Sequence, residues 1–311
     1  MDPLPRQDLT PAHLLSPVTV LFVLLLGTFL GLLVATLLGA GLSHWLDIEA
    51  IVADADNADA GQRNRVRLVL LTGQLFTFFV PGLLLARWLY GRAWGRALAL
   101  WPRPTGLQLL VGVLLLFSGA GLVLFAYQLN QEIPLPDWAV VAEERSAGML
   151  ELVLRMESPA ELLLSLLIVA VLAAVGEELL FRGLLQPTLA RWFGGREQAA
   201  IWATALIFSA VHFQFEGFLP RLVLGVLLGY LFVLSGRLWV PIVAHLLHNG
   251  VQVVGTYTLS PEAVQAAAEQ APVVTPLQAG CSLLLVLLGA FALQRISRPS
   301  VPTVPTSPPD E

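Results

Sequence analysis

Two adjacent carboxylates, Glu177 and Glu178, and one guanidinium, Arg182, sit inside an apolar run that begins near Leu162. Ionisable side chains at membrane depth are expensive, and they face a bundle interior or a water-filled cavity. Two later apolar segments carry imidazoles: FSAVH from Phe208 to His212, and HLLHN from His245 to Asn249. A carboxylate with histidines and an amide is a set suited to hydrolysis. A buried carboxylate such as Glu177 can act as general base toward water, with His212 sharing that water. His245 and Asn249 can donate hydrogen bonds to the oxyanion that develops on the attacked carbonyl. The same Glu177, His212 and His245 can instead hold zinc, which also activates water. No HExxH is present, and His245 and His248 stand three residues apart. The metal-free version is favoured, and zinc stays open as the one candidate cofactor.

Neighbouring helical positions point about 100° apart, so Glu177 and Glu178 cannot share a direction. Glu178 and Arg182 are four residues apart and can pair on one face. That pair neutralises one carboxylate and leaves Glu177 free to take a proton. Phe208 lies one turn before His212 and packs to orient it. His248 reads as a bystander or a supporting donor.

These residues must be carried by membrane helices. The 311-residue chain is 56% hydrophobic and 13% charged, against about 25% charged in soluble chains. Its mean hydropathy is +0.75. An all-α polytopic membrane bundle of about eight transmembrane helices is expected, since a span takes about 20 apolar residues. The apolar segments are 17–42, 67–90, 107–129, 160–186, 198–215, 219–235, 238–258 and 277–295. The third is interrupted at Gly119–Gly121, and Gly27/Gly31 and Gly225/Gly229 have the spacing that lets helices approach closely. Cys281 has no partner for an intrachain disulfide and reads as a packing residue.

Five parts follow: a cytoplasmic segment 1–16, helices and loops over 17–159, a catalytic core over 160–258, a last loop and helix over 259–296, and a disordered Pro-rich tail over 297–311. The 130–159 connection is expected to hold an amphipathic helix near Glu144–Met156. Acidic residues crowd the 43–66 and 130–159 connections, whereas Arg92, Arg96, Arg103, Arg191, Arg196 and Arg237 mark the others. Arginine-bearing loops stay in the cytoplasm, so both termini are expected there. Arg63, Arg65 and Arg67 run against that pattern.

The Phe193–Arg196 stretch reads as a turn joining the fourth and fifth spans. Glu177 lies as far before Gly194 as His212 lies after Gly195. Equal arms reach equal depth, because an α-helix rises by a constant step. Pro187 is expected to kink the first arm. Pro241 suits the first turn of the seventh span. His245 and Asn249 follow it on one face. The four groups are expected to converge on a cavity open toward the cytoplasm.

In order and spacing, EELLFR (Glu177 to Arg182), FSAVH and HLLHN match EExxxR, FxxxH and HxxxN. Over residues 160–255 the chain resembles the CPBP family of intramembrane proteases, the CAAX-protease and bacteriocin-processing type, similar to the Ras-converting CAAX endopeptidase. The resemblance implies an eight-helix membrane endopeptidase with Glu177 as water activator, His212 assisting, and His245 and Asn249 stabilising the oxyanion. It implies a protein or peptide substrate in or at the membrane, a lipid bilayer around the protein, no nucleic acid, and a bacterial inner (cell) membrane. Family members are often called metalloproteases, although a glutamate-dependent mechanism needs no metal. Two other readings use the same residues: a proton-coupled transporter, and a non-catalytic immunity or scaffold protein.

Overall fold

The computed structural model describes residues 15–259, 263 and 273–297. Most of the segment 1–16, the tail from 298 onward, and residues 260–262 and 264–272 of the last loop lie outside the described residues. Every described element is helical.

Helix α1 spans Pro17–Trp45 and starts where Ser16 Oγ accepts the Thr19 N–H, with proline in the first turn. Helix α2 (Ala60–Ala97) starts at a reciprocal cap between Asp59 and Gln62. Helix α3 (Gly106–Gln131) has the same device between Thr105 and Gln108, and breaks at Gly119 as the glycine pair predicts. Helix α4 runs Asp137–Leu154. It is longer than the sequence suggests because Pro136 lets the helix begin a full turn or more earlier. Helices α5 (Pro159–Trp192), α6 (Glu197–Ala210), α7 (Phe218–Ser235), α8 (Trp239–Thr258) and α9 (Pro276–Ser297) complete the bundle.

Six of these, α1, α2, α3, α5, α7 and α9, are long and apolar enough to cross a bilayer. The chain is an all-α polytopic membrane protein. The other two expected spans are helical as well. Helix α6 has only 14 residues, short of the roughly 20 that a span takes. Helix α8 has 20 residues, but His245, His248, Asn249 and Gln252 lower its hydropathy.

Apart from α4, successive helices alternate in direction, and contacts at their tips identify two ends. At one end the Leu238 N–H reaches Ala99 O at 3.1 Å, and Gln108 Nε2 reaches Ser297 Oγ at 3.0 Å. At the other, Asn130 Nδ2 donates to Phe215 O at 2.8 Å and Arg145 meets Glu49 at 3.3 Å.

Helix α5 is the most enclosed of the six long helices, 50% buried against 39% or less for the rest. All of its residues from Gly176 to Gln186 are buried. Pro187 does not end it; a π-helical stretch, Leu179–Leu185, precedes the proline and the helix continues to Trp192. A second π stretch covers Leu166–Leu172, and a third, Leu75–Phe79, lies in α2. The α2 and α5 backbones touch there: a Cβ on Gly176 would lie 3.0 Å from the Phe79 amide nitrogen. The turn after α5 uses Gly194 and Gly195 at φ +68° and +86°, values that favour glycine.

Two sequence expectations change. Arg63 and Arg67 are not loop charges; they are 1% and 0% exposed. Glu161 receives Arg63 Nε at 2.9 Å and Arg67 Nη1 at 2.7 Å. Arg67 Nη2 also reaches the carbonyls of Val153 and Arg155. The cluster clamps α2, α4 and α5 together where hydropathy alone shows only a span boundary. Cys281 is exposed on α9 rather than packed inside, because the inward face of that helix is taken by Ala279, Ser282, Val286 and Leu293.

Candidate active site

The apolar periodicity of α5 sends Glu178 and Arg182 into the bundle and turns Glu177 toward α6 and α8. Arg182 Nη1 meets Glu178 Oε1 at 2.7 Å, with both side chains fully buried. Arg182 Nη2 also donates to Gly225 O on α7 at 2.9 Å, and one turn on, Gln186 Nε2 reaches Gly229 O. The Gly225/Gly229 spacing thus serves two purposes. It leaves carbonyls bare for α5, and it lets α6 approach, since a Cβ on Gly225 would lie 3.1 Å from Ala205 Cβ. The Arg182 guanidinium also lies 4.8 Å over the Phe208 ring.

Glu177 is 4% exposed. Its Oε1 stands 4.0 Å from His212 Nε2, and its Oε2 stands 3.9 Å from His245 Nε2. Each imidazole is fixed from behind. His212 Nδ1 lies 2.7 Å from Phe208 O one turn earlier. A carbonyl only accepts, so the proton sits on Nδ1, and Nε2 of the neutral ring offers a lone pair to the space beside Glu177. The ring is held edge-on by Phe208 at 5.0 Å and stacked on Phe78 at 6.3 Å. His245 Nδ1 donates to Glu178 Oε1 at 2.9 Å. Glu178 therefore holds both Arg182 and His245, a link that motif spacing does not reveal. His245 Nε2 faces the same space beside Glu177.

Asn249 lies one turn beyond His245. Its Nδ2 donates to Val169 O at 2.9 Å, a carbonyl within the π stretch of α5, where the regular helical ladder is interrupted. The second Nδ2 hydrogen remains available. His248 lies against Phe117, ring centres 6.3 Å apart, and does not line the cavity beside Glu177.

That cavity has a volume of about 360 Å³. Glu177, His212, His245 and Asn249 line it, together with Gln214, Arg221 and Ser146. The last three were not expected from the sequence. Arg221, an arginine opening an otherwise apolar run, was the one legible signal among them. Its guanidinium is anchored by Gln214, whose Oε1 accepts from Nη2 at 2.7 Å. Phe213, at φ +53°, reverses the chain directly after His212 and brings Gln214 to the wall. Such a conformation costs a non-glycine residue about 1–3 kcal/mol.

Helix α4 roofs the cavity. Ser146 Oγ accepts from Gln214 Nε2 at 2.9 Å, and Glu143 accepts from the backbone N–H groups of Phe215 and Glu216. The cavity consequently lies in the half of the bundle nearer the acidic connections. Toward the arginine-bearing end, Arg182, Leu184, Leu238 and Leu98 are 1% exposed or less and close the bundle. The sequence expectation is a cavity open toward the cytoplasm; the lining residues lie in the half of the bundle away from the arginine-bearing loops. Helices α6 and α8 do start at that end, but His212 and Asn249 lie far along them, and tight packing fills the space behind.

The oxygen and nitrogen ligands present are of kinds that zinc accepts, at about 2.0–2.2 Å from the ion. Among the described residues, however, no three His, Cys, Asp or Glu side chains are placed to hold a metal together. Glu178 and the Phe208 carbonyl hold the Nδ1 atoms of the two histidines, and both Nε2 atoms face Glu177.

Residues 159–251 match the family model described as Type II CAAX prenyl endopeptidase Rce1-like. The match takes in all of α5, α6 and α7 and the part of α8 that bears His245 and Asn249. The Bacillus subtilis (strain 168) protein named "Uncharacterized protein YpbD" is 31% identical over 90 residues, 28% of this chain and 42% of that protein. The chain thus spans less than half the length of that relative. No solved structure matches. The CAAX-protease resemblance carried by the three motifs is shown for this segment.

Proposed function

We propose that this protein is an intramembrane endopeptidase of the CAAX-protease type, hydrolysing peptide bonds of membrane-associated protein or peptide substrates. One observation carries the reading: a buried carboxylate, Glu177, stands about 4 Å from the Nε2 atoms of two anchored histidines inside a cavity lined by polar groups. Residues 160–258 form the catalytic core, and 17–159 supply its walls and roof. The protein sits in a bacterial cell membrane with the bundle's arginine-bearing end inside.

A water beside Glu177 meets two acceptors, its carboxylate and the lone pair of His212. Glu177 takes the proton while His212 orients the oxygen for attack on the scissile carbonyl. The carbon–oxygen bond forms, and negative charge moves to the former carbonyl oxygen. His245, through the ring edge that faces Glu177, and Asn249, through its second amide hydrogen, line the place where that oxyanion forms. Glu177 then gives its proton to the leaving nitrogen as the carbon–nitrogen bond breaks. The Arg182–Glu178 pair fixes His245 Nδ1 and balances the local charge.

The test is cleavage of a membrane-associated peptide library by protein in liposomes, wild type against Glu177→Gln, with and without a chelator. Loss of a general base lowers the rate by about 10²- to 10⁴-fold, with no effect of chelator expected. Wild-type rates in Glu177→Gln would sink the proposal. Activity lost to chelator and restored by zinc would replace the carboxylate mechanism with a metal one. Proton flux that depends on Glu177, without cleavage, would favour the transporter reading.

A further inference from the structure

We propose that Arg221 selects the substrate. Its guanidinium binds a carboxylate carried by the peptide, either a chain end or an acidic side chain, while Glu177 acts on the scissile bond. The proposal rests on the proteolytic reading for the ligand being a peptide, but the binding itself needs no hydrolysis.

Arg221 stands in the first turn of α7 and lines the same cavity as Glu177. Among the residues that line this cavity it is the only arginine, and Glu177 is the only carboxylate. Its side chain is built into the wall. Nη2 donates to Gln214 Oε1 at 2.7 Å, and Nη1 donates to Gln214 O at 3.2 Å. Gln214 is tied in turn to Ser146 on α4. Gly217 leaves the room that the guanidinium takes, since a Cβ there would lie 2.7 Å from Arg221 Nη2.

Both acceptors on Gln214 are neutral. Among the described residues no carboxylate lies within ion-pair distance of Arg221. Glu143, on the roof, is taken up by the backbone N–H groups of Phe215 and Glu216. A cation within a membrane helix calls for a partner. The guanidinium keeps N–H groups beyond the two that Gln214 receives, in a planar fork that suits a carboxylate. Much of the remaining wall is apolar: Leu70, Met149, Ile168, Leu224 and Val253. A peptide with apolar side chains and one carboxylate complements these walls. An uncharged peptide leaves the cation unmatched, and a basic one brings like charges together.

The experiment is binding of dye-labelled peptides to the full chain in nanodiscs of zwitterionic lipid, read by anisotropy against empty discs. Every protein carries Glu177→Gln, so that the peptides stay intact. The probes are a leucine–alanine peptide with a free C-terminal carboxylate, the same peptide amidated, and the amidated peptide with one internal alanine changed to glutamate. The free acid, the glutamate peptide or both are expected to bind about ten- to a hundredfold more tightly than the amide. Which of them does so separates a chain end from a side chain. Arg221→Gln is expected to remove the preference and leave amide binding unchanged, and Arg221→Lys to restore part of it. Equal binding of all three peptides, or binding of none, overturns the proposal, as does a preference that survives Arg221→Gln. Loss of amide binding along with the preference overturns it too, and makes Arg221 a structural residue. A carboxylate preference in a protein that cleaves nothing with Glu177 restored counts against the protease reading alone.

Discussion

Glu178 joins two members of the site. It accepts from Arg182 and from His245 Nδ1 with the same oxygen, so its loss acts through His245 rather than on substrate. Glu178→Gln keeps the shape and removes the charge. It is expected to lower kcat with little change in KM, which separates a positioning role from substrate binding. Arg182→Ala leaves a carboxylate buried without its cation, a change that costs about 3–5 kcal/mol. Unfolding in mixed micelles should show that loss, while His248→Ala, outside the cavity, should leave kcat unchanged. Glu161 makes the same point away from the site. Glu161→Ala would leave the buried Arg67 without a carboxylate and Arg63 with Glu157 alone, again at about 3–5 kcal/mol, and the same unfolding assay would report it.

At the scale of elements, the α2–α5 crossing controls where the histidine sits. Gly176 lies one residue before Glu177, and its missing Cβ lets the α2 backbone close in at Phe79. Phe78 then stacks on His212. Gly176→Val should part the helices, displace Phe78 and reduce both stability and cleavage. Gly39→Val has no atom within 4 Å of its new Cβ and is the matched control, for which near wild-type cleavage is expected. The three π-helical stretches lie in these same two helices, on either side of Glu177. One of them presents the Val169 carbonyl to Asn249. A strict 3.6-residue ladder predicts faces well over two or three turns and drifts across such stretches, so the Glu177 register was legible only approximately from spacing.

At the scale of the whole molecule, helix α4 covers the cavity. The sequence shows α4 as a loosely amphipathic stretch in an acidic connection; its place over the cavity depends on Glu143 and Ser146 meeting residues 214–216. Breaking that attachment with Glu143→Ala and Ser146→Ala together should free the roof. The expected result is faster proteolytic nicking of α4 in liposomes with the bundle still folded. Resistance equal to wild type would mean that the packing of α4 on α2 and on the Ile48–Ala53 helix suffices to hold it.

The sequence by itself determined the envelope and which polar side chains it must enclose. Charged and imidazole groups within apolar runs must be enclosed, and eight such runs can only become helices in lipid, since every backbone donor and acceptor must be satisfied locally. The motif spacing also limited which residues could meet, because helical rise fixes depth along each arm. Only the tertiary structure decided that Glu178 rather than solvent holds His245, that Arg63 and Arg67 are interior clamps, and that the cavity lies in the half of the bundle nearer the acidic end. Each of these depends on partners far apart in the chain, such as Arg67 with Glu161 and Ser146 with Gln214. Helix-forming patterns are local; which end of a bundle stays open depends on which distant side chains fill it.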